Sequence, residues 1–342
     1  MNRILIVRMS ALGDVVHALP VLAALREAFP LAEIDWLVDR PYAGILDLVE
    51  GVTTRIIGRP GLMQAIQTMR SRDYDVALDL QGLLKSAAMA RLSGAGRVIG
   101  FESGALREQG AAWFYSETSP VPAGAHVVQK NLSTLVRLGV EPGPVRFPFV
   151  VPDSAVARQV VVDAAARGPG PFVLVNPGAG WPNKRWPPER FGAVAAAIRE
   201  EHALPTFVLW GRDEAALADA VIASSRGAAV RAPETSLGDL LALTSRAALM
   251  ISGDTGPTHI AAAMKTPIVG LYGPTWPERN GPWDPDDVVV SRATQCVCHH
   301  KRQCQRAGPV EGAAHMCIND ISVDEVVHAV RLRLSRASGQ SA

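Results

Sequence analysis

A carboxylate standing where a buried strand runs into a helix can take a proton from a hydroxyl, and Asp14 of Ser10-Ala11-Leu12-Gly13-Asp14 occupies such a place. The same carboxylate could instead cap the helix that follows. Gly13 permits a tight turn or the close approach of a substrate. His17, one turn further on, reads either as lining the site or as a packed helix residue. A second segment, residues 176–189 (NPGAGWPNKRWPPE), combines glycines that expose backbone N–H groups with the charges of Lys184 and Arg185. That combination suits an anion such as a phosphate, and a plain basic loop before a helix is the other reading. Trp186 in this segment is expected to pack rather than to stack on a ligand. In a third segment, residues 252–259 (SGDTGPTH), Asp254, Thr255 and Gly256 lie at an expected helix N-terminus, with His259 projecting from the first turn. Helix N–H groups and the positive end of the dipole there favour a diphosphate. Asp254 would repel a phosphate, so it positions Lys184, accepts a sugar hydroxyl or caps the turn. A fourth segment, residues 79–86 (DLQGLLKS), brings Gln81 and Lys85 to another strand end, and Arg107 joins them as a candidate. None of the four is a GxGxxG fingerprint or a P-loop.

The elements that must hold these residues alternate between short apolar, β-branched runs and amphipathic stretches. Strands are expected at residues 3–9, 34–38, 55–57, 75–80 and 97–101, with helices at 14–28, 42–49, 62–70, 84–92 and 126–138. A Pro/Gly-rich stretch at 139–152 marks a boundary. After a helix at 153–166 the alternation restarts, with strands at 171–175, 206–210, 228–231, 247–251, 267–272 and 288–290. Helices fall at 188–200, 214–224, 236–245, 257–264 and 322–334. Strands with little alternation fit parallel sheets covered on both faces. The expectation is an α/β chain of two doubly wound, Rossmann-like domains, 1–150 and 151–342, facing across a cleft. Ligands then belong at the C-terminal ends of the strands.

With 342 residues and 48% apolar composition the chain can bury two cores, and collagen, coiled-coil and disordered classes are excluded. A net charge of +1 argues against a global nucleic-acid binder but not against a local anion site. No apolar run reaches the ~18 residues of a membrane span, and the strand beginning at residue 3 leaves no room for a signal peptide, so the cytosol is the expected compartment. The four cysteines, Cys296, Cys298, Cys304 and Cys317, lie close together in the sequence with His299, His300 and His315 among them. They read as a structural zinc or iron site, as reduced thiols of an ordinary loop, or as an oxidised pair. The CxC spacing is less typical of a metal site than CxxC.

In this order, RILIVRMSALGDVVHALPVL, DLQGLLKSAA, KRWPPERF and SGDTGPTHIAAAMKTPIVGLYGPT resemble the ADP-heptose:lipopolysaccharide heptosyltransferases of glycosyltransferase family 9, the type I enzymes of the inner core above all. The resemblance implies a GT-B fold, an N-terminal acceptor domain, a C-terminal nucleotide-sugar domain and an inverting transfer that needs no metal. It implies Asp14 as catalytic base, Lys184 as the lysine on the donor phosphates, and Asp254, Thr255, Gly256 and His259 as the donor-binding motif. Glu214 matches an acidic residue that contacts the ribose or heptose, while Thr235 and Leu237 fall where the adenine rests. Ser10, Gly13, Gln81, Lys85 and Arg107 are assigned by analogy to a Kdo-lipid A acceptor, which would bring the protein peripherally to the cytoplasmic face of the inner membrane. The sequence departs from the type I pattern at residues 58–67, whose only basic residue is Arg59, and in the cysteine segment. Another acceptor (a second core heptose, another glycan or a protein), another nucleotide sugar, a non-catalytic nucleotide-sugar-binding protein and an epimerase on the same scaffold are the competing readings.

Overall fold

The computed structural model describes residues 1–299, 301–304, 316–337 and 339. It divides into two compact units, Met1–Val150 and Val151–Ala342. The first unit holds six parallel strands: β1 (Arg3–Val7), β2 (Glu33–Val38), β3 (Thr54–Ile57), β4 (Val76–Asp79), β5 (Arg97–Phe101) and β6 (Glu117–Ser119), in the order β3-β2-β1-β4-β5-β6. Ile4 pairs with Ile34 on one side and Val76 on the other, which puts β1 in the middle of the sheet. Its Ile4, Leu5, Ile6 and Val7 are completely buried, as a strand covered by helices on both faces must be.

The second unit repeats the plan with β7 (Val173–Asn176), β8 (Thr206–Val208), β9 (Ala229–Arg231), β10 (Leu249–Gly253), β11 (Ile268–Tyr272) and β12 (Val288–Ser291). Its order, β12-β11-β10-β7-β8-β9, is the same arrangement written from the other edge. In each sheet the chain starts at a central strand, works outward to one edge, then returns to the centre and works to the other. The crevice beside the first strand, where the direction reverses, is the switch point at which doubly wound sheets bind ligands. It lies between β1 and β4 in one unit and between β7 and β10 in the other.

Most expected elements fall within a residue or two of their sequence positions. Two expected helices are 3₁₀ in whole or part: Arg40–Leu48, with a proline in its first turn, and Ser133–Leu138, which continues the short helix Val127–Leu132. The edge strand β6 and the turn of helix Pro277–Asn280 carry no apolar run and give no periodic signal.

The C-terminal helix Val323–Ala337 is fastened at its start. Ser322 Oγ accepts the Glu325 N–H at 3.2 Å, the Glu325 carboxylate accepts the Ser322 N–H at 2.8 Å, and Arg292 at the end of β12 reaches both Glu325 oxygens at 2.6 Å. The Arg292 hydrogen bonds and the Ser322 N–H hold Glu325 down to about 2, below the ordinary glutamate value. A depressed folded-state value stabilises the fold above the unfolded-state pKa and loses that contribution as pH falls. Glu325→Gln is therefore expected to cost about 1 kcal/mol at pH 7, kept small by partial exposure and salt screening. Denaturant titrations should show the gap between the two proteins closing from about pH 4.5 down to about 2.

Candidate functional site

In the second unit the two loops at the switch point are tied to each other. Asn176, the last residue of β7, donates through Nδ2 to Ser252 Oγ at 3.0 Å and to Thr255 Oγ1 at 3.1 Å. Thr258 Oγ1 donates to the Gly253 carbonyl, closing a buried hydroxyl network beneath the start of helix Gly256–Ala263. Thr255 is the N-cap residue of that helix, so its hydroxyl and the first N–H groups stand at the carboxyl edge of the sheet.

Beside this helix start, Lys184 Nζ lies 2.5 Å from Asp254 Oδ2 and 4.7 Å from the centre of the Trp181 ring. The other Asp254 oxygen receives Asn280 Nδ2 at 2.8 Å and shares a hydrogen bond with His259 Nε2 at 3.2 Å. Burial by itself would raise the Asp254 pKa, but the His259 hydrogen bond and the Lys184 charge drive it well below the usual carboxylate range. The carboxylate is thus a fixed negative anchor that holds a lysine, a histidine and an asparagine in place. Of the three roles open to Asp254 from the sequence, the positioning of Lys184 is the one visible in the geometry.

Glu214 joins the same edge. It accepts the Gly211 N–H at 3.1 Å and has Arg185 at 3.9 Å, and its carboxylate lies where a Cβ on Gly178 would sit, 2.2 Å away. Gly178 is therefore what allows the first loop to close over Glu214. Arg185 Nε donates to the Ala179 carbonyl at 2.9 Å, which keeps its charge on the loop. Thr235 and Leu237 are half-buried at the start of helix Leu237–Thr244, which Ser236 caps. Trp186 is buried, with Nε1 on the Ile321 carbonyl at 3.0 Å, and packs as expected.

In the first unit the loops after β1 and β4 meet in the same way. The Met9 N–H donates to Gln81 Oε1 at 2.8 Å, and Arg8 donates to the Leu80 carbonyl. Arg8 also pairs with Asp14, Nη2 to Oδ1 at 2.7 Å, while Asp14 Oδ2 accepts the Ala11 N–H at 3.2 Å. The arginine side chain is 9% exposed and the aspartate 43%, so a buried cation grips a carboxylate that still faces solvent. Asp14 thus ties down the helix start and remains reachable from solvent. Ser10 and Gly13 lie in the same turn, both half-buried.

The turn that carries Gln81 and Lys85 is built on Asp79. Its carboxylate accepts the N–H groups of Gln81 and Gly82 and the hydroxyls of Ser86 and Tyr115 at 2.7–3.3 Å. Lys85 is lowered by burial and then by the nearby Arg59 charge. Arg59 itself donates to the buried Asp39 at 2.8 Å. Arg107 is exposed, next in sequence to Leu106, which lies against Gly82. His17 is buried, its ring edge-on to His126 at 5.5 Å.

Arg8, Tyr115 and Asn280 were not singled out by sequence spacing. Arg8 alone left a signal, a charge at the end of the apolar run ILIV. Cys296, Cys298, Cys304 and Cys317 gather into one cluster in the second unit. His300 and His315 lie outside the described residues. No helix among the described residues is long and apolar enough to cross a membrane.

The family model for glycosyltransferase family 9 (heptosyltransferase) matches residues 62–308. Lipopolysaccharide heptosyltransferase 1 of Pseudomonas aeruginosa is 31% identical over 319 residues, covering 88% of this chain and 87% of its own. Lipopolysaccharide core heptosyltransferase OpsX of Haemophilus influenzae is 26% identical over 294 residues, covering 84% and 83%. Among solved structures, Escherichia coli heptosyltransferase WaaC with ADP superposes with a TM-score of 0.73 at 23% identity, over 98% of this chain and 99% of that one. A family 9 glycosyltransferase from Veillonella parvula superposes with a TM-score of 0.78 at 20% identity, over 98% of both chains.

Proposed function

From the fact that the chain belongs to glycosyltransferase family 9, the heptosyltransferases, and has the GT-B fold, we propose that it transfers L-glycero-D-manno-heptose from ADP-heptose to the Kdo-lipid A inner core of lipopolysaccharide, with inversion. The observation that carries this reading is the complementary chemistry at the two switch points. One unit presents a solvent-reachable carboxylate, Asp14, and the other presents Lys184 and a helix N-terminus fit for a diphosphate. In a binding protein without turnover that carboxylate would serve only Arg8 and the helix start, and its exposure to solvent would have no purpose.

The acceptor hydroxyl gives its proton to Asp14 as its oxygen attacks the anomeric carbon, and the bond to the ADP oxygen breaks on the opposite face. The transition state has oxocarbenium character, and negative charge grows on the leaving diphosphate. Lys184, Thr255 and the N–H groups opening helix Gly256–Ala263 face that charge as fixed donors. These groups supply on their own the stabilisation that a divalent cation gives in other transferases. Glu214 receives a hydroxyl of the donor sugar or ribose, and Thr235 and Leu237 flank the adenine. Ser10, Gly13, Gln81, Lys85 and Arg107 meet the acceptor. The domain at 1–150 is thus the acceptor domain and that at 151–342 the donor domain, acting at the cytoplasmic face of the inner membrane, where a lipid-anchored acceptor would be found.

Mass spectrometry of reactions pairing ADP-heptose, ADP-glucose and UDP-sugars with Kdo-lipid A and with a heptosylated core tests the assignment. One heptose added to Kdo-lipid A from ADP-heptose is the expected product. Addition only to the heptosylated core, or from another donor, overturns it.

Gly178→Ala gives a finer test of Glu214. The added methyl meets the end of a flexible side chain, so Glu214 swings away at little cost in stability. The KM for donor is expected to rise about tenfold, one hydrogen bond to a charged group, with the melting temperature nearly unchanged. A normal KM would remove Glu214 from the donor site.

A further inference from the structure

We propose that Cys296, Cys298, Cys304 and Cys317 bind one thiophilic metal ion, zinc in the first instance, in a tetrahedral four-thiolate site that fastens the loop behind Lys184. The four side chains pack on one another as a cluster of their own, apart from the main apolar core of the unit. Cys296, Cys298 and Cys317 are at most 5% exposed. Buried cysteines that serve only as small hydrophobes distribute among aliphatic side chains. Four converging from residues 296–304 and from Cys317, with no disulfide among them, is the pattern of a ligand set.

The contacts are of the right size. Cys298 Sγ lies 3.6 Å from Cys304 Sγ, too far for a bond between sulfurs and close to the ~3.8 Å edge of a tetrahedron with ~2.3 Å metal–sulfur bonds. The Cys317 thiol is hydrogen-bonded to Cys296. Among the described residues no three such side chains are drawn around an ion-sized centre. Rotation of the side chains about Cα–Cβ is the adjustment left. A divalent ion entering displaces four protons to solvent and leaves the site at −2.

Backbone N–H groups already point at the sulfurs, as they do around metal thiolates: Cys298 N–H donates to Cys296 Sγ at 3.3 Å, and Ile318 N–H to Cys317. The turn between Cys298 and Cys304, closed by Lys301 N–H on the Cys298 carbonyl at 3.0 Å, exposes Lys301 and Arg302. Their positive charges offset the −2 of a loaded site.

The position gives the ion a purpose. Asn183, next to Lys184, donates to the Lys301 carbonyl at 2.8 Å, and Arg190 donates to the carbonyls of Asn319 and Ile321 at 2.6 and 2.7 Å. His299 stacks on Trp276 at 4.8 Å, four residues before the Asn280 that holds Asp254. A metal joining Cys296, Cys298 and Cys304 to Cys317 would clamp both ends of the segment that supports these groups.

Metal content tests this without any substrate, so its outcome is separate from that of the transfer assay. Protein kept reduced, incubated with Zn²⁺ and desalted should hold about one ion per chain, and Co²⁺ in its place should give thiolate-to-metal charge-transfer and tetrahedral ligand-field bands. Cys304→Ser, at the half-exposed ligand, and Cys317→Ser should each lose most of the metal. Wild-type protein that retains no zinc, a cobalt spectrum of a six-coordinate oxygen site, or full loading of both variants would overturn the proposal.

Discussion

Asp14→Asn is expected to lower kcat about 10³-fold while leaving the affinity for ADP-heptose within a factor of two. The magnitude is that of a lost general base, typically 10²- to 10⁴-fold. The separation of effects follows from where the residue sits: Asp14 opens the first helix of the first unit, whereas the groups suited to the diphosphate belong to the second. The amide is the better replacement, since its one oxygen can still accept from Arg8, and only the bond from the Ala11 N–H to the second carboxylate oxygen is given up. Asp14→Ala removes the same base but also strands the guanidinium of Arg8, 9% exposed, opposite an empty position. Its loss of activity should be at least as large, together with a stability cost of about 3 kcal/mol from the uncompensated buried charge. Pre-steady-state single-turnover assays with calorimetric donor binding separate these effects. An amide variant that turns over at the normal rate would show that the proton goes elsewhere and that Asp14 serves only the helix start.

The elements were legible in the sequence because parallel strands buried on both faces are written as unbroken β-branched runs. ILIV in β1 and VLV in β7 cannot be exposed, and each is followed at once by the loop that carries chemistry. β6 reads ETS, and nothing in three polar residues announces an edge strand; it is placed by its backbone pairing with β5, Ile99 opposite Glu117, while Arg97 reaches Glu117 at 2.7 Å. The site was legible to the same degree. Asp14, Gln81, Lys184 and Asp254 each stand just beyond a strand, so their clustering at the switch points follows from topology. Their partners do not follow from topology. Asn280 reaches Asp254 from 26 positions away and Tyr115 reaches Asp79 from 36, distances over which spacing carries no information and only the packed fold decides.

Lys184→Ala is expected to reduce kcat/KM about 10³-fold, and Asp254→Asn added to it should recover about tenfold. The first figure is the loss of a fixed cation proposed to face the departing diphosphate, of the size seen when a single oxyanion donor is removed. The recovery follows from the contact between the two side chains. Lys184 Nζ sits 2.5 Å from a carboxylate that is 5% exposed, so removing the lysine leaves a poorly solvated anion beside the place proposed for the donor phosphates. Two unit charges ~4 Å apart at an effective dielectric near 20 interact by about 4 kcal/mol, and neutralising Asp254 relieves part of that repulsion. The mutations should thus be strongly non-additive, as expected of residues in contact. Lys184→Arg should not substitute: a guanidinium grips a carboxylate with two parallel N–H groups and stacks flat on an aromatic ring, so it would settle on Asp254 and Trp181 in a geometry different from that of the compact ammonium 4.7 Å from the ring centre. A double-mutant cycle on kcat/KM, run beside ADP binding by calorimetry, measures the coupling. If Asp254→Asn makes the lysine variant worse instead of better, Asp254 contacts the donor sugar directly and its hold on Lys184 is secondary.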